Sequence, residues 1–427
     1  MSREYDAEAV AELSALEVPA GTKGFAVAQR GPGTTGAALA GASLFGGRLS
    51  FPLLTVLDPA VTHNIGVLAR FAAAAGVQLA PHAKTTMAPQ LFARQLAAGS
   101  WGLTAATIAQ VVVYRRFGVR RVVLANELVD PDSITWLAEE LRSDPDFEFY
   151  CYVDSLEGVR LLDQGLTATP AGRRLNVLVE LGYSGGRTGC RTIAEAREVA
   201  AAAAATTTLA VAGVSGYEGG LGHDRSEPAL SAVRDWCGQL LELLDRLADD
   251  AVLTGPGLVS AGGSAYPDVV ADAFAARRPG VLAVLRSGSY ITHDDGLYEE
   301  LSPFTETAGR AEALQPALEL WARVLSRPEP GLAILDLGRR DAGFDQALPN
   351  PRRVRSADGQ IRPATGLRVS QLNDQHAYVE VPAEFALAPG DLVGLGISHP
   401  CTTMDRWRYL VLLDGEERVL DVLSTFF

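Results

Sequence analysis

Lysine occurs at only two positions in this chain of 427 residues, Lys23 and Lys84, and arginine supplies the rest of the basic residues. A desolvated amine becomes a nucleophile able to form a Schiff base, which a guanidinium cannot do. Lys84 stands in LAPHAKTTMAP, whereas Lys23 stands in a Gly-containing stretch near the N-terminus. A second chemistry-bearing pair is His399-Pro400-Cys401. On an extended segment, residues two apart project to the same side, so imidazole and thiolate could reach one ion, and that donor pair favours zinc. Two protein ligands would leave positions for water and substrate, as a Lewis acid requires. Two glycine-containing stretches, Gly262-Gly263-Ser264 and Gly288-Ser289-Tyr290, could bring backbone N–H groups close to a phosphate dianion. Arg187 lies in a third such stretch, GGRTG, and Tyr217 and His223 lie in GYEGGLGH. His82, His293 and His376 complete the set of titratable candidates.

These residues fall at regular places in a pattern of elements. Between Val77 and Tyr290, short apolar β-branched runs alternate with stretches of helix-forming composition. The runs are Gln78 to Pro81, Gly102 to Ala106, Arg121 to Asn126, Glu148 to Val153, Leu175 to Leu181, Leu209 to Ser215, Gly257 to Ala261 and Val281 to Arg286. Stretches such as Met87 to Ala98, Pro131 to Leu141, Ala194 to Ala204 and Pro228 to Ala248 are long enough for crossovers. Eight βα units predict a (β/α)8 barrel, with a doubly wound open sheet as the alternative that periodicity leaves open. In either fold Lys84 follows the first strand, Arg187 the fifth, Tyr217 and His223 the sixth, and the two glycine stretches the seventh and eighth. In a barrel, those loops build the active face, and the last two build its phosphate site.

After Thr292 the runs are separated by Gly, Pro and Asp turns with few convincing helices between them: Leu318 to Val324, Leu332 to Leu337, Ala377 to Val381, Leu392 to Ile397 and Tyr409 to Leu413. This predicts a mainly-β C-terminal domain. The run Leu53 to Leu57 has no place in the count of eight and is expected to pair with that domain. The expected division is therefore residues 1–58 as a segment completing the β domain, 59–300 as the barrel, and 301–427 as the C-terminal β domain with the metal pair.

Composition excludes several partners. A net charge of −14 repels phosphate backbones and anionic lipid, so neither nucleic acid nor membrane is expected as a partner. The start, MSREYDAEAV, lacks the basic and apolar pattern of a signal peptide. The Ala-rich stretch from Val199 to Ala212 is interrupted by Thr206, Thr207 and Thr208 and is too weakly apolar to span a bilayer. Four cysteines without paired spacing argue against a disulfide framework, and a cytoplasmic location is the expectation.

The segment Pro81-His82-Ala83-Lys84-Thr85 resembles the cofactor-lysine motif of the D-serine dehydratase and D-threonine aldolase family, within the alanine racemase fold class of pyridoxal-phosphate enzymes (fold type III). GYSGGRTGC, GYEGGLGH, SAGGSAYP, RSGSYITHD, NDQHAY and SHPCTTMD extend the resemblance over most of the chain. It implies pyridoxal 5′-phosphate on Lys84, Arg187 at the phenolic oxygen of the cofactor, Tyr217 beside the ring and His82 nearby. Gly262, Gly263, Ser264, Gly288, Ser289 and Tyr290 would lie around the phosphate, with His223 and His376 near the substrate. His399 and Cys401 would hold a divalent metal, zinc by its donor preference. The resemblance also implies a homodimer.

The activity it implies is dehydration of a D-β-hydroxy amino acid such as D-serine to a 2-oxo acid and ammonia. Cysteine at the second metal position points by resemblance to dehydratases, and aspartate there to aldolases. A D-threonine-type aldolase is the near rival, because it would use almost the same residues. A non-catalytic pyridoxal-phosphate carrier is disfavoured by the added β domain, and a racemase by the metal pair.

Overall fold

The computed structural model describes residues 4–25, 33–305 and 312–427. Eight parallel strands form a near-closed barrel: Gln78–Leu79, Leu103–Ala105, Arg121–Glu127, Glu148–Val153, Leu175–Glu180, Leu209–Ser215, Leu258–Ala261 and Leu282–Leu285. From the second strand to the eighth each pairs with the next in sequence, and the eighth pairs with the first. The first and second strands meet through a parallel bridge between His82 and Thr104. All eight expected runs are strands, and the open-sheet alternative is excluded by the pairing of the last strand with the first.

The pattern of two explains why these runs are strands. Val123, Tyr152, Leu178, Leu258 and Val284 point inward with Ala80 and fill the barrel as one cluster. Their neighbours, such as Val122, Leu124, Val177 and Val179, point outward and join the larger core beneath the helices. The helices start where the chain supplies a stop for exposed N–H groups. Thr192 and Glu195 form a capping box before Ile193–Ala205, and Asp130 caps Pro131–Ser143.

The C-terminal domain is an antiparallel β half-barrel. The run Leu53–Leu57 completes it, pairing antiparallel with Leu318–Glu329 (Leu54 opposite Leu320) and parallel with Tyr409–Leu413 (Thr55 opposite Val411). The other expected runs are strands as well, Leu332–Leu335, Ala377–Glu380 and Leu392–Gly396, and among the described residues four unexpected ones join them: Asn350–Arg355, Ile361–Pro363, Arg368–Leu372 and Val419–Ser424. All four cysteines are free thiols. Among the described residues no helix is long and apolar enough to cross a membrane.

Candidate active site

Lys84 sits in a single 3-10 turn, Ala83–Thr85, just beyond the first barrel strand. The turn is anchored on both sides: the His82 N–H donates to the Arg286 carbonyl at 3.2 Å, and the Thr104 N–H donates to the Pro81 carbonyl at 2.9 Å. Lys84 borders two adjoining cavities of about 510 and 230 Å³, which also share His82, Tyr217, Gly263 and Arg286. Burial pushes the Lys84 ammonium below its ordinary range; Cys401 opposes that shift and Arg187 adds to it. An amine so placed gives up its proton more readily than a surface lysine. His82 is held well below the usual histidine range by burial, so it is neutral, and its Nδ1 has no hydrogen-bond partner.

The floor of the barrel mouth is polar. Arg286 donates to Ser215 Oγ at 3.0 Å, to Ser260 Oγ at 2.6 Å and to the Gly216 carbonyl at 2.6 Å. Ser215 Oγ in turn donates to the Tyr152 hydroxyl at 2.7 Å. This network fixes a buried cation below both cavities. Arg187 is brought to the smaller cavity with its guanidinium 4.4 Å from the centre of the Tyr217 ring. His223 reaches the larger cavity, as do Ser264, Gly288 and Ser289.

The glycine stretches are only partly free. The N–H groups of Gly262 and Gly263 donate to the buried carboxylate of Glu218, at 3.0 and 2.6 Å. Glycine is needed at Gly288, where a Cβ would come within 2.3 Å of the His82 carbonyl oxygen. Tyr290 turns away into the core, where its hydroxyl accepts from Gln95 at 2.9 Å. His376 is exposed and lines neither cavity. His293 is buried beside Glu299, at 3.0 Å, and also lines neither.

His399 and Cys401 both line the larger cavity. The extended segment expected for the pair stops at His399: Pro400 opens a short helix, Pro400–Met404, because proline fits the first helical position. Cys401 is therefore directed by a helical turn, and its Sγ lies 3.4 Å from Thr85 Oγ1 and 3.8 Å from Ser289 Oγ. The hydrogen bond with Cys401, followed in weight by that with Asp345, raises His399 to about 9, while burial opposes the rise. For Cys401 burial is the largest influence and would raise the thiol, yet hydrogen bonding from His399 and Thr85 brings it below its ordinary value.

Sequence reasoning named neither Glu218 nor Asp345, whose carboxylate accepts from His399 Nδ1 at 2.6 Å. It also passed over three carboxylates, Glu127, Asp154 and Glu180, whose oxygens gather within 4.8 Å of one another. Glu180 borders the smaller cavity. Each stands at the end of a different strand, so no local motif marks the group.

Comparison with known proteins matches residues 58–286 to the family described as "Alanine racemase, N-terminal domain" and residues 317–413 to the "Putative serine dehydratase domain". A D-threonine aldolase of an Arthrobacter species is 26% identical over 357 residues, which cover 82% of this chain and 86% of that protein. The fold is similar to that of the D-threonine aldolase from Filomicrobium marinum, with a TM-score of 0.75 at 24% identity, covering 88% of this chain and 95% of that one. It is similar also to that of D-threo-3-hydroxyaspartate dehydratase from Delftia sp. HT23, with a TM-score of 0.71 at 21% identity, covering 88% of this chain and 98% of that one. A cysteine-to-alanine variant of a D-threo-3-hydroxyaspartate dehydratase is known in a metal-free form. The family depends on pyridoxal phosphate. Two matched domains in this order carry the assignment: the chain belongs to the alanine racemase N-terminal domain family and, through the serine dehydratase-type domain that follows, to its D-threonine aldolase and D-hydroxyaspartate dehydratase branch.

Proposed function

We propose that this protein is a lyase of small D-3-hydroxy amino acids, with pyridoxal phosphate on Lys84 and zinc on His399 and Cys401. The observation that carries this reading is convergence: the Lys84 amine, the His399 imidazole and the Cys401 thiol, from two domains, line one cavity of about 510 Å³. The residues fit both groups. Gly263, without a side chain, lines both cavities that Lys84 borders and leaves that wall open, and the buried His82 Nδ1 at the same cavities has no partner in the protein. Imidazole with thiol is a zinc-favouring donor set.

When bound, the cofactor withdraws electrons from Cα and the metal polarises the substrate hydroxyl. The chain's own residues do the rest. Lys84 Nζ, readily deprotonated, exchanges a proton with Cα: it returns one after carbon–carbon cleavage, or removes one to begin elimination. Neutral His82 buries an imidazole against the Lys84 turn without adding a competing cation. Arg187 and Tyr217 supply a cation and an aromatic face at the cavity edge. Gly288, Ser289 and Ser264 border the side on which a phosphate would rest.

Of the two reactions, carbon–carbon cleavage to glycine and an aldehyde takes first place. The Arthrobacter relative, matched over most of both chains, is a D-threonine aldolase, and this support outweighs the elimination expected from sequence. Elimination stands as the second reading on one specific residue, Cys401, whose thiol occupies the position where the aldolases are expected to carry aspartate. Product analysis separates them. D-Threonine should give glycine and acetaldehyde. Pyruvate and ammonia from D-serine, with 2-oxobutanoate and no glycine from D-threonine, would transfer the protein to the dehydratases. Turnover confined to L-isomers would sink both.

A further inference from the structure

We infer that Asp345 is a positioning residue for the metal site: it holds Nδ1 of His399 and thereby leaves Nε2 as the nitrogen that ligates. The inference rests on the assignment of His399 as a ligand. Asp345 Oδ2 lies 2.6 Å from His399 Nδ1, and Asp345 Oδ1 accepts from Thr402 Oγ1 at 2.6 Å. Both carboxylate oxygens are therefore committed, one to the ring and one to the residue after Cys401. Two residues further along the loop, the Ala347 N–H donates to Ser398 Oγ at 3.2 Å, and Ser398 Oγ donates to the Ala347 carbonyl at 2.5 Å. The loop 345–347 is thus stitched to residues 398–402 on both sides of His399.

The His399 backbone is held as well, since Thr403 Oγ1 donates to the His399 carbonyl at 3.0 Å. With Nδ1 engaged by Asp345, Nε2 is the ring nitrogen left to ligate, and His399 and Cys401 line the same cavity. A carboxylate on the far nitrogen does two things for a ligating histidine: it selects the tautomer and strengthens the ligating lone pair. Nothing local in the sequence links the two residues, which are 54 positions apart.

The test is zinc affinity, read by competition with a chromophoric chelator on the pyridoxal-phosphate-loaded protein. Wild type should bind zinc, and His399→Ala should lose it. Asp345→Ala should bind roughly 10- to 100-fold more weakly, the range typical of such partners. Asp345→Asn, which keeps an acceptor without the charge, should fall between them, and Thr402→Val should move the same way by less. Borohydride labelling of Lys84 and the melting temperature should stay near wild type, and Asp345→Asn carries the test if the alanine variant does not fold. Unchanged zinc affinity in Asp345→Ala and Asp345→Asn would overturn the inference. Loss as complete as in His399→Ala would also overturn it, by making Asp345 a ligand. If His399→Ala binds zinc like wild type, the metal assignment itself fails, and Asp345 falls with it.

Discussion

The Thr85 hydroxyl and the Cys401 thiol lie 3.4 Å apart, so the residue next to Lys84 touches a residue of the proposed metal pair. The contact joins the barrel's first loop to the β domain at the point where the chemistry is proposed. Thr85 is buried and Cys401 half-buried, so neither is free to drift. Thr85→Val keeps the shape and removes the hydroxyl. A hydrogen bond of this kind contributes about 0.5–1.5 kcal/mol, so turnover should fall by roughly 2- to 10-fold while the cofactor absorbance is retained. Unchanged kinetics would show that the contact is incidental.

Chelation should abolish turnover and leave the visible cofactor band, because the metal pair and Lys84 are separate groups. Zinc should restore activity. The measurement is activity against metal content after exhaustive dialysis; full activity in verified metal-free protein would remove the Lewis-acid role of His399 and Cys401.

Gly263→Ala fills the space beside Tyr217. Its Cβ would stand 3.1 Å from the ring and 3.4 Å from Glu218 Oε1, contacts that small shifts can absorb. Stability should change little, whereas the dissociation constant for pyridoxal phosphate should rise by about tenfold, or about 1.4 kcal/mol. Titration of the apoprotein with cofactor checks this. Equal affinity would place the cofactor elsewhere.

Glu127 supplies a pH-dependent prediction. Burial, followed by the charge of Glu180, raises its carboxyl from the ordinary 4.5 to about 8. Between those values the folded protein holds a proton that the unfolded chain has lost. The stabilisation is present below pH 4.5 and lost as pH rises through about 8. Glu127→Gln cannot ionise, so its melting-temperature advantage over wild type should grow from pH 5 to pH 9. An advantage that shrinks over that range would mean the carboxyl is not protonated in the fold.

The barrel was legible because its strands are buried on both faces and read as continuous apolar runs. Lys84 was legible by rarity and by its place after a strand. The strand Asn350–Arg355 was not, because NPRRVR resembles a surface segment. Its Arg353 is accommodated by Glu319, 34 positions away, at 2.8 and 2.5 Å, by Glu417, and by the Trp321 ring at 4.7 Å. Only the folded chain brings those partners together. The same holds at the site: motifs indicated which residues gather but not which way they face. Tyr290 follows Ser289 directly, yet one turns to Gln95 and the other to Cys401. Pro400 redirected the His-x-Cys segment into a helix, and Glu218 took the amides of Gly262 and Gly263 from 44 and 45 positions away.

The most direct test of the account is the site of cofactor attachment. Lys23, the other lysine, is engaged elsewhere: its Nζ donates to Asp341 and to the Arg340 carbonyl, each at 3.0 Å, and lies 3.8 Å from the centre of the Trp407 ring. Purified protein should be yellow, and borohydride reduction followed by peptide mapping should place one pyridoxyl group on Lys84. Label on Lys23, or no label on a protein verified to contain the cofactor, would contradict the central claim.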